Sequence, residues 1–237
     1  MKKTVFAIFS LLAGCLPAQD FAKDLEQVYK HFVNAERISY AIKYSLRAGH
    51  QENSRLIMES PGRYCRNKQS HLSVFENKTT LVTGSEIVMI DRAEKRIQVK
   101  KTDGTSSGVP DAVSILKTFS NYVHKINRIP SGKNQAIYDV YLKPGSEQPI
   151  DHYRIVLNTG SYYLESISLF YKTGLRRNED YQVTGKEIPR LDISFYDFNS
   201  PQTNVSEETR ADYYYNKTSN KLSPTLNFKG YAVKEVF

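Results

Sequence analysis

Apolar residues recur at helical spacing in Phe21, Leu25, Val28 and Phe32, while Lys23, Asp24, Glu26, Lys30 and Glu36 fall largely off that stripe. A side chain returns to the same helix face after three or four residues, so this spacing predicts an amphipathic helix beginning by Asp20. The period then switches to two. Ile38, Tyr40, Ile42, Tyr44 and Leu46 alternate with Ser39, Ala41, Lys43, Ser45 and Arg47, the pattern of a half-buried strand. Short strands are predicted at Arg55–Glu59, Arg63–Lys68, His71–Glu76, Thr79–Thr83, Glu86–Asp91 and Arg96–Lys100. Pro110-Asp111 opens a second predicted helix, with Asp111 as N-cap and Val113, Leu116, Phe119 and Val123 as its apolar stripe beside Ile115 and Tyr122. Strands follow at Ala136–Leu142, His152–Asn158, Tyr162–Lys172 and Glu187–Asn199, with turns at Pro144-Gly145, Asn158-Thr159-Gly160 and Lys172-Thr173-Gly174. Asn199-Ser200-Pro201 breaks this pattern, Tyr213-Tyr214-Tyr215 reads as a short strand, and Gly230–Phe237 closes the chain.

Roughly ten or eleven strands and two main helices result, and the short connections make the strands mostly antiparallel. The fold class is α+β, mainly antiparallel β. The simplest arrangement is a strongly curved sheet with helices on its concave face.

The N-terminus changes the picture. Met1-Lys2-Lys3 precedes an apolar run from Val5 to Leu12, and small residues close the segment by Ala18. That is the form of a bacterial export signal, too short to span a bilayer. Two processing routes compete: Leu12-Ala13-Gly14-Cys15 has the form of a lipobox that would anchor the protein through Cys15, and cleavage after Ala18 would leave a soluble protein starting at Gln19. A helix beginning by Asp20 leaves little tether behind Cys15, which favours the periplasmic form. Residues 1–18 are then signal and 19–237 one domain; 237 − 18 leaves 219 residues, enough for a sizeable core. Removing Lys2 and Lys3 from the formal charge of +8 leaves +6. For an exported chain that charge points to an anionic envelope surface or lipid headgroups rather than nucleic acid, unless it serves solubility alone.

Candidate chemistry is sparse. His31, His50, His71, His124 and His152 are scattered, with no ligand set at metal spacing, so neither a metal nor another cofactor is expected. His31 and His124 fall on the predicted helices. There is no G-x-S-x-G elbow, P-loop or G-x-G-x-x-G opening a helix, and no catalytic residue is assigned. Glu165 reads as a carboxylate on the wet side of a strand, Arg176-Arg177 and Lys95-Arg96 as solvated turn residues, and Cys65 as a small half-buried strand residue. Seventeen Tyr and eleven Phe without Trp suit either a core or a surface that grips lipid by shape.

The order of these elements resembles the LolA-type outer-membrane lipoprotein carriers. The residues that carry the likeness are the corner Glu59-Ser60-Pro61-Gly62-Arg63-Tyr64 and the hairpin Leu81-Val82-Thr83-Gly84 through Ile87-Val88-Met89-Ile90-Asp91. The resemblance extends over residues 20–199. It implies an incomplete β-barrel with a helical lid over an apolar cavity, no enzymatic activity, and a periplasmic carrier that takes acyl chains of lipoproteins or other lipids towards the outer membrane. Transient contacts with membrane-bound donor and acceptor proteins and a monomeric state would go with it. The alternative is a lipid-sensing regulatory module of the RseB type. The face of Ile38, Tyr40, Ile42, Tyr44 and Leu46, covered by Leu25, Val28, Phe32, Leu116 and Phe119, is then the expected lipid-binding cavity. In the family an Arg before the corner proline helps control the lid. Here Ser60 stands in its place, leaving Arg63 to take over that role or the lid to be held differently.

Overall fold

The structure, a computed structural model, describes residues 16–102, 122–174, 187–200, 204–218 and 221–236. The chain forms two compact units. Of the described residues, the first holds 16–34, 43–59, 122–174 and 187–195, and the second holds the remainder.

The first unit opens with helix α1 (Leu16–Asn34). Its stripe Ala18, Phe21, Leu25, Val28 and Phe32 is at most 8% exposed, the spacing that puts one helix face against a sheet. It packs chiefly on β7 (Val123–Ile129), and also on β9 (Ile150–Asn158) and β10 (Tyr163–Tyr171). With β8 (Gln135–Leu142), β11 (Arg190–Tyr196) and the adjoining parts of β1 (Arg37–Ala48) and β2 (Arg55–Asn67), these run in the order β2-β1-β11-β10-β9-β8-β7. Register aligns Tyr138, Ile155, Ile167 and Ile193 in one row, and Val140, Tyr153, Leu169 and Leu191 in the next. Phe21 meets Tyr138 edge-on at 5.1 Å, so α1 lies over this face. The Asn158 side chain makes the β9–β10 turn by accepting from the N–H groups of Gly160 and Ser161.

The second unit is a run of hairpins, β3 (Ser70–Phe75), β4 (Lys78–Val82), β5 (Glu86–Asp91) and β6 (Arg96–Lys101), which with β14 (Ala232–Glu235) run in the order β14-β6-β5-β4-β3-β2-β1. Asp91 accepts from the N–H groups of Ala93 and Glu94 and so shapes the β5–β6 turn. One face carries the rows Cys65, Leu72, Leu81, Val88, Val99 and Val74, Thr79, Ile90, Ile97, Val233. It is covered by the C-terminal segment: α2 (Val205–Glu208), a 3-10 turn (Ala211–Tyr213), the hairpin β12 (Tyr215–Thr218) and β13 (Lys221–Pro224), a second 3-10 turn (Leu226–Phe228) and β14 (Ala232–Glu235). Val205, Tyr214, Tyr215 and Phe228 press into the rows.

Several sequence expectations need correction. The helix expected to have begun by Asp20 is already formed at Leu16. The corner at Ser60-Pro61-Gly62 does not end a strand: β2 runs unbroken from Arg55 to Asn67, and the Pro61 carbonyl accepts the Glu76 N–H at 3.3 Å. Val123 and His124 belong to strand β7, which the helical reading of residues 111–123 had absorbed. Tyr213-Tyr214-Tyr215 is the end of a 3-10 turn and the start of β12 rather than a strand of its own. Fourteen strands, not ten or eleven, occur among the described residues, and β14 pairs with β6 in parallel. Leu116, Phe119, Arg176 and Arg177 lie outside the described residues.

Candidate functional site

In the first unit, burial fades along the helix-covered face. Tyr138, Val140 and Ile155 are 0% exposed, and Tyr153 and Ile167 at most 3%. Farther along the same rows, Leu169, Leu191 and Ile193 are only half-buried. Arg47 reaches Asp192 and Ser45 reaches Glu59, so Ser45, Arg47 and Glu59 share with Asp192 the face opposite Leu191 and Ile193. By the two-residue period, Tyr44, Leu46, Leu56 and Met58 then fall on the Leu191 side. Tyr44, Leu46 and Met58 are half-buried and Leu56 is 43% exposed. This is a half-open apolar row spanning β2, β1, β11 and β10, at the margin of the helix.

Its electrostatics are simple. The named positions of the row carry no charge, and burial alone pushes the Tyr44 hydroxyl up from its ordinary range. Where α1 covers the sheet, Tyr138 donates to Asp24 at 2.7 Å, and burial followed by that hydrogen bond raises its pKa. Arg128 of β7 lies on the Tyr138 side, where it pairs with Asp20 of α1 at 2.9 Å, whereas Asp139, Arg154, Arg190 and Asp192 lie on the opposite face. There Arg154 makes a two-pronged contact with Asp139 at 2.8 and 3.1 Å, and Arg190 and Arg47 converge on Asp192. His152 is stacked between Phe170 at 4.0 Å and Tyr141 at 4.9 Å on that same polar face. Glu165 is fixed by the amides of Gln135 and Asn158, each at 2.8 Å. These two donors hold the carboxylate in place.

The expected cavity residues divide between the two units. Leu25, Val28 and Phe32 pack α1 onto its sheet in the first unit, where Tyr44 and Leu46 join the half-open row. Ile38, Tyr40 and Ile42 belong to the second unit and are 2–8% exposed. Tyr40 stacks on Tyr64 at 5.1 Å and leans on Phe198 at 5.5 Å, on the face away from the C-terminal cover. Tyr64 in turn pairs with His71 at 2.8 Å. Ser60 is 2% exposed and donates to Glu76 at 2.6 Å, while Arg63 forms an ion pair with Glu208 of α2 at 2.5 Å. Their described partners therefore belong to the β3–β4 turn and the C-terminal segment. Sequence alone does not single out Leu56, Met58, Leu169, Leu191 and Ile193, because alternation marks a face without saying what covers it.

Among the described residues, no group of three metal-ligating side chains is arranged around an ion, and no helix is long and apolar enough to cross a membrane. The row has apolar contact area to offer, and this grips by dispersion and desolvation.

No family model matches the chain, and no curated protein matches it. It is similar to solved structures that include LolA superfamily proteins. An uncharacterized conserved protein from Thermus thermophilus is 9% identical, with 92% of this chain and 99% of that one covered and a TM-score of 0.45. A LolA superfamily protein from Nitrosomonas europaea is 8% identical, with 81% and 97% covered and a TM-score of 0.32. An outer membrane lipoprotein-sorting protein domain from Vibrio parahaemolyticus is 10% identical, with 77% and 94% covered and a TM-score of 0.29.

Proposed function

We propose that this protein is a periplasmic carrier that binds acyl chains of lipoproteins or other envelope lipids and delivers them towards the outer membrane. The observation that carries the reading is the half-open row of Tyr44, Leu46, Leu56, Met58, Leu169, Leu191 and Ile193 in the first unit. A row of this composition that served only as core would be closed, as the neighbouring Tyr138, Ile155 and Ile167 are.

Burying acyl chain from water contributes about 0.8 kcal/mol per methylene, so about a dozen methylenes amount to about 10 kcal/mol. A lipid cannot cross an aqueous compartment with that chain exposed. A protein surface need only approach the apolarity of a bilayer interior for transfer between them to be near neutral and reversible. An uncharged row meets that need, because a carboxylate or ammonium within it would have to be desolvated whenever a chain is bound. The reading makes the protein a binder rather than an enzyme, acting without metal or cofactor as a monomer that meets donor and acceptor proteins transiently.

The direct test is mass spectrometry of lipids that co-purify with the protein from the periplasm, combined with titration of a fluorescent acyl probe. Bound acyl lipid and saturable probe binding are expected. A lipid-free protein that ignores the probe would defeat the reading.

A further inference from the structure

Leu226 is 91% exposed, the most exposed of the large hydrophobic side chains among the described residues. A single exposed leucine is ordinary, but this one is held out on a fixed support. It opens the 3-10 turn Leu226–Phe228, whose Phe228 is 3% exposed within the core of the second unit. Thr225, just before it, donates to the Tyr213 carbonyl at 2.9 Å, and the Phe228 and Lys229 N–H groups return to Thr225 and Leu226 at 3.0 and 3.3 Å. Inserting Leu226 into an apolar medium therefore requires little ordering of the chain that carries it.

The surroundings are basic. From Tyr213 to Lys234 the sequence contains Lys217, Lys221, Lys229 and Lys234 and no acidic residue; all four lysines are exposed. The Arg92 guanidinium sits over the Phe228 ring at 5.5 Å, and the Lys95 carbonyl accepts the Ala232 N–H at 2.9 Å, which brings the β5–β6 turn to the same place. Two acids share that turn. Asp91 is engaged with backbone N–H groups, and Glu94 forms an ion pair with Arg96.

We propose that this corner of the second unit docks on an anionic lipid surface, with Leu226 entering the headgroup region and Arg92, Lys95 and Lys229 facing the lipid phosphates. A hydrophobic wedge ringed by cations matches the two layers of such a surface, apolar below and negative above. The charge complementarity favours a membrane over an apolar pocket on another protein, where exposed lysines would be costly to desolvate. The proposal extends the carrier reading to the step at which the protein touches a bilayer, and it rests on different residues from those of the apolar row.

The test is co-sedimentation of the full chain with phosphatidylethanolamine–phosphatidylglycerol vesicles and with phosphatidylcholine vesicles. Wild type should bind the anionic vesicles, and added salt should weaken that binding. Leu226→Asp should weaken it about tenfold or more, given the apolar area removed from the interface. Arg92→Glu combined with Lys229→Glu should abolish the preference for anionic vesicles. Acyl-probe titration of the same variants should stay at the wild-type level, so a failure here is distinct from a failure of the carrier reading. Vesicle binding by Leu226→Asp equal to wild type would overturn the proposal. So would binding to neither vesicle while an envelope protein is captured through Leu226.

Discussion

Two rows of apolar side chains, one in each unit, look alike in sequence and differ in what covers them. In the second unit Cys65, Leu72, Leu81 and Val88 are 0% exposed beneath a segment that the same chain supplies from its C-terminal end. In the first unit Tyr44, Leu46, Leu169, Leu191 and Ile193 continue a row whose other half lies under α1, yet they stay half-open. Alternation specifies a face, and the length and placement of a covering segment decides whether that face becomes core or contact surface. The lesson is that a sheet face is best judged by following its cover, residue by residue.

The sharpest way to break this contrast is to truncate one side chain in each row. Leu81→Ala should cost about 3 kcal/mol, because a closed site keeps the cavity. Ile193→Ala should cost about 1 kcal/mol, since part of that side chain is already in water. Urea unfolding of the two variants gives both numbers, and equal losses would mean that the two rows are equally closed.

The next effect depends on pH. Burial pushes the Cys65 thiol up to about 11, with Arg63 opposing and Glu208 adding. The folded state then holds its proton over a range where the unfolded thiol, with its ordinary value of 9.0, has released it. Stability from this group is complete below the unfolded value and is lost as pH rises towards the folded value, at no more than about 1.4 kcal/mol per pH unit. Buried Tyr153 and Tyr214, also shifted upward by desolvation, add to the same alkaline loss at higher pH. Cys65→Ala should flatten the early part of that limb, between the two thiol values. An unchanged limb would show that the thiol is not sealed beneath the C-terminal segment.

Smaller still is the tie between Arg63 and Glu208, whose side chains are 32% and 20% exposed. Arg63→Ala should cost about 1–2 kcal/mol by leaving a half-buried carboxylate without this countercharge. Arg210→Ala, at the open Arg210–Asp212 pair, should leave the unfolding midpoint unchanged. If both variants behave alike, the cover is held by its apolar anchors alone.

Much of this was legible in the sequence. The stripe of Phe21, Leu25, Val28 and Phe32 predicts the buried face of α1, and Ile38, Tyr40 and Ile42 are buried as their alternation requires. The turn residue Asn158 marks a real hairpin because its side chain satisfies backbone donors locally. Strand β7 was hidden because Val123 also completes a helical spacing with Phe119, and two periods can share an apolar residue. Pro61 reads as a break in the sequence, yet the strand passes through it. The C-terminal cover gave little signal: Tyr214, Tyr215 and Phe228 act through long-range packing that no local period encodes. Of the half-open row the sequence singles out only Tyr44 and Leu46, since Leu191 and Ile193 alternate as core residues do.

The measurement that bears most directly on the proposed role is acyl-probe titration of Ile193→Asp and Lys43→Gln, each first shown to be folded by circular dichroism. Position 193 lies in the half-open row, and Lys43, exposed and 3.8 Å from Glu59, belongs to the opposite face. A carboxylate in the row must be stripped of water whenever a chain binds, so Ile193→Asp should lose at least about tenfold in probe affinity while Lys43→Gln keeps it. Wild-type affinity in folded Ile193→Asp would contradict the assignment of this row as the lipid-binding surface.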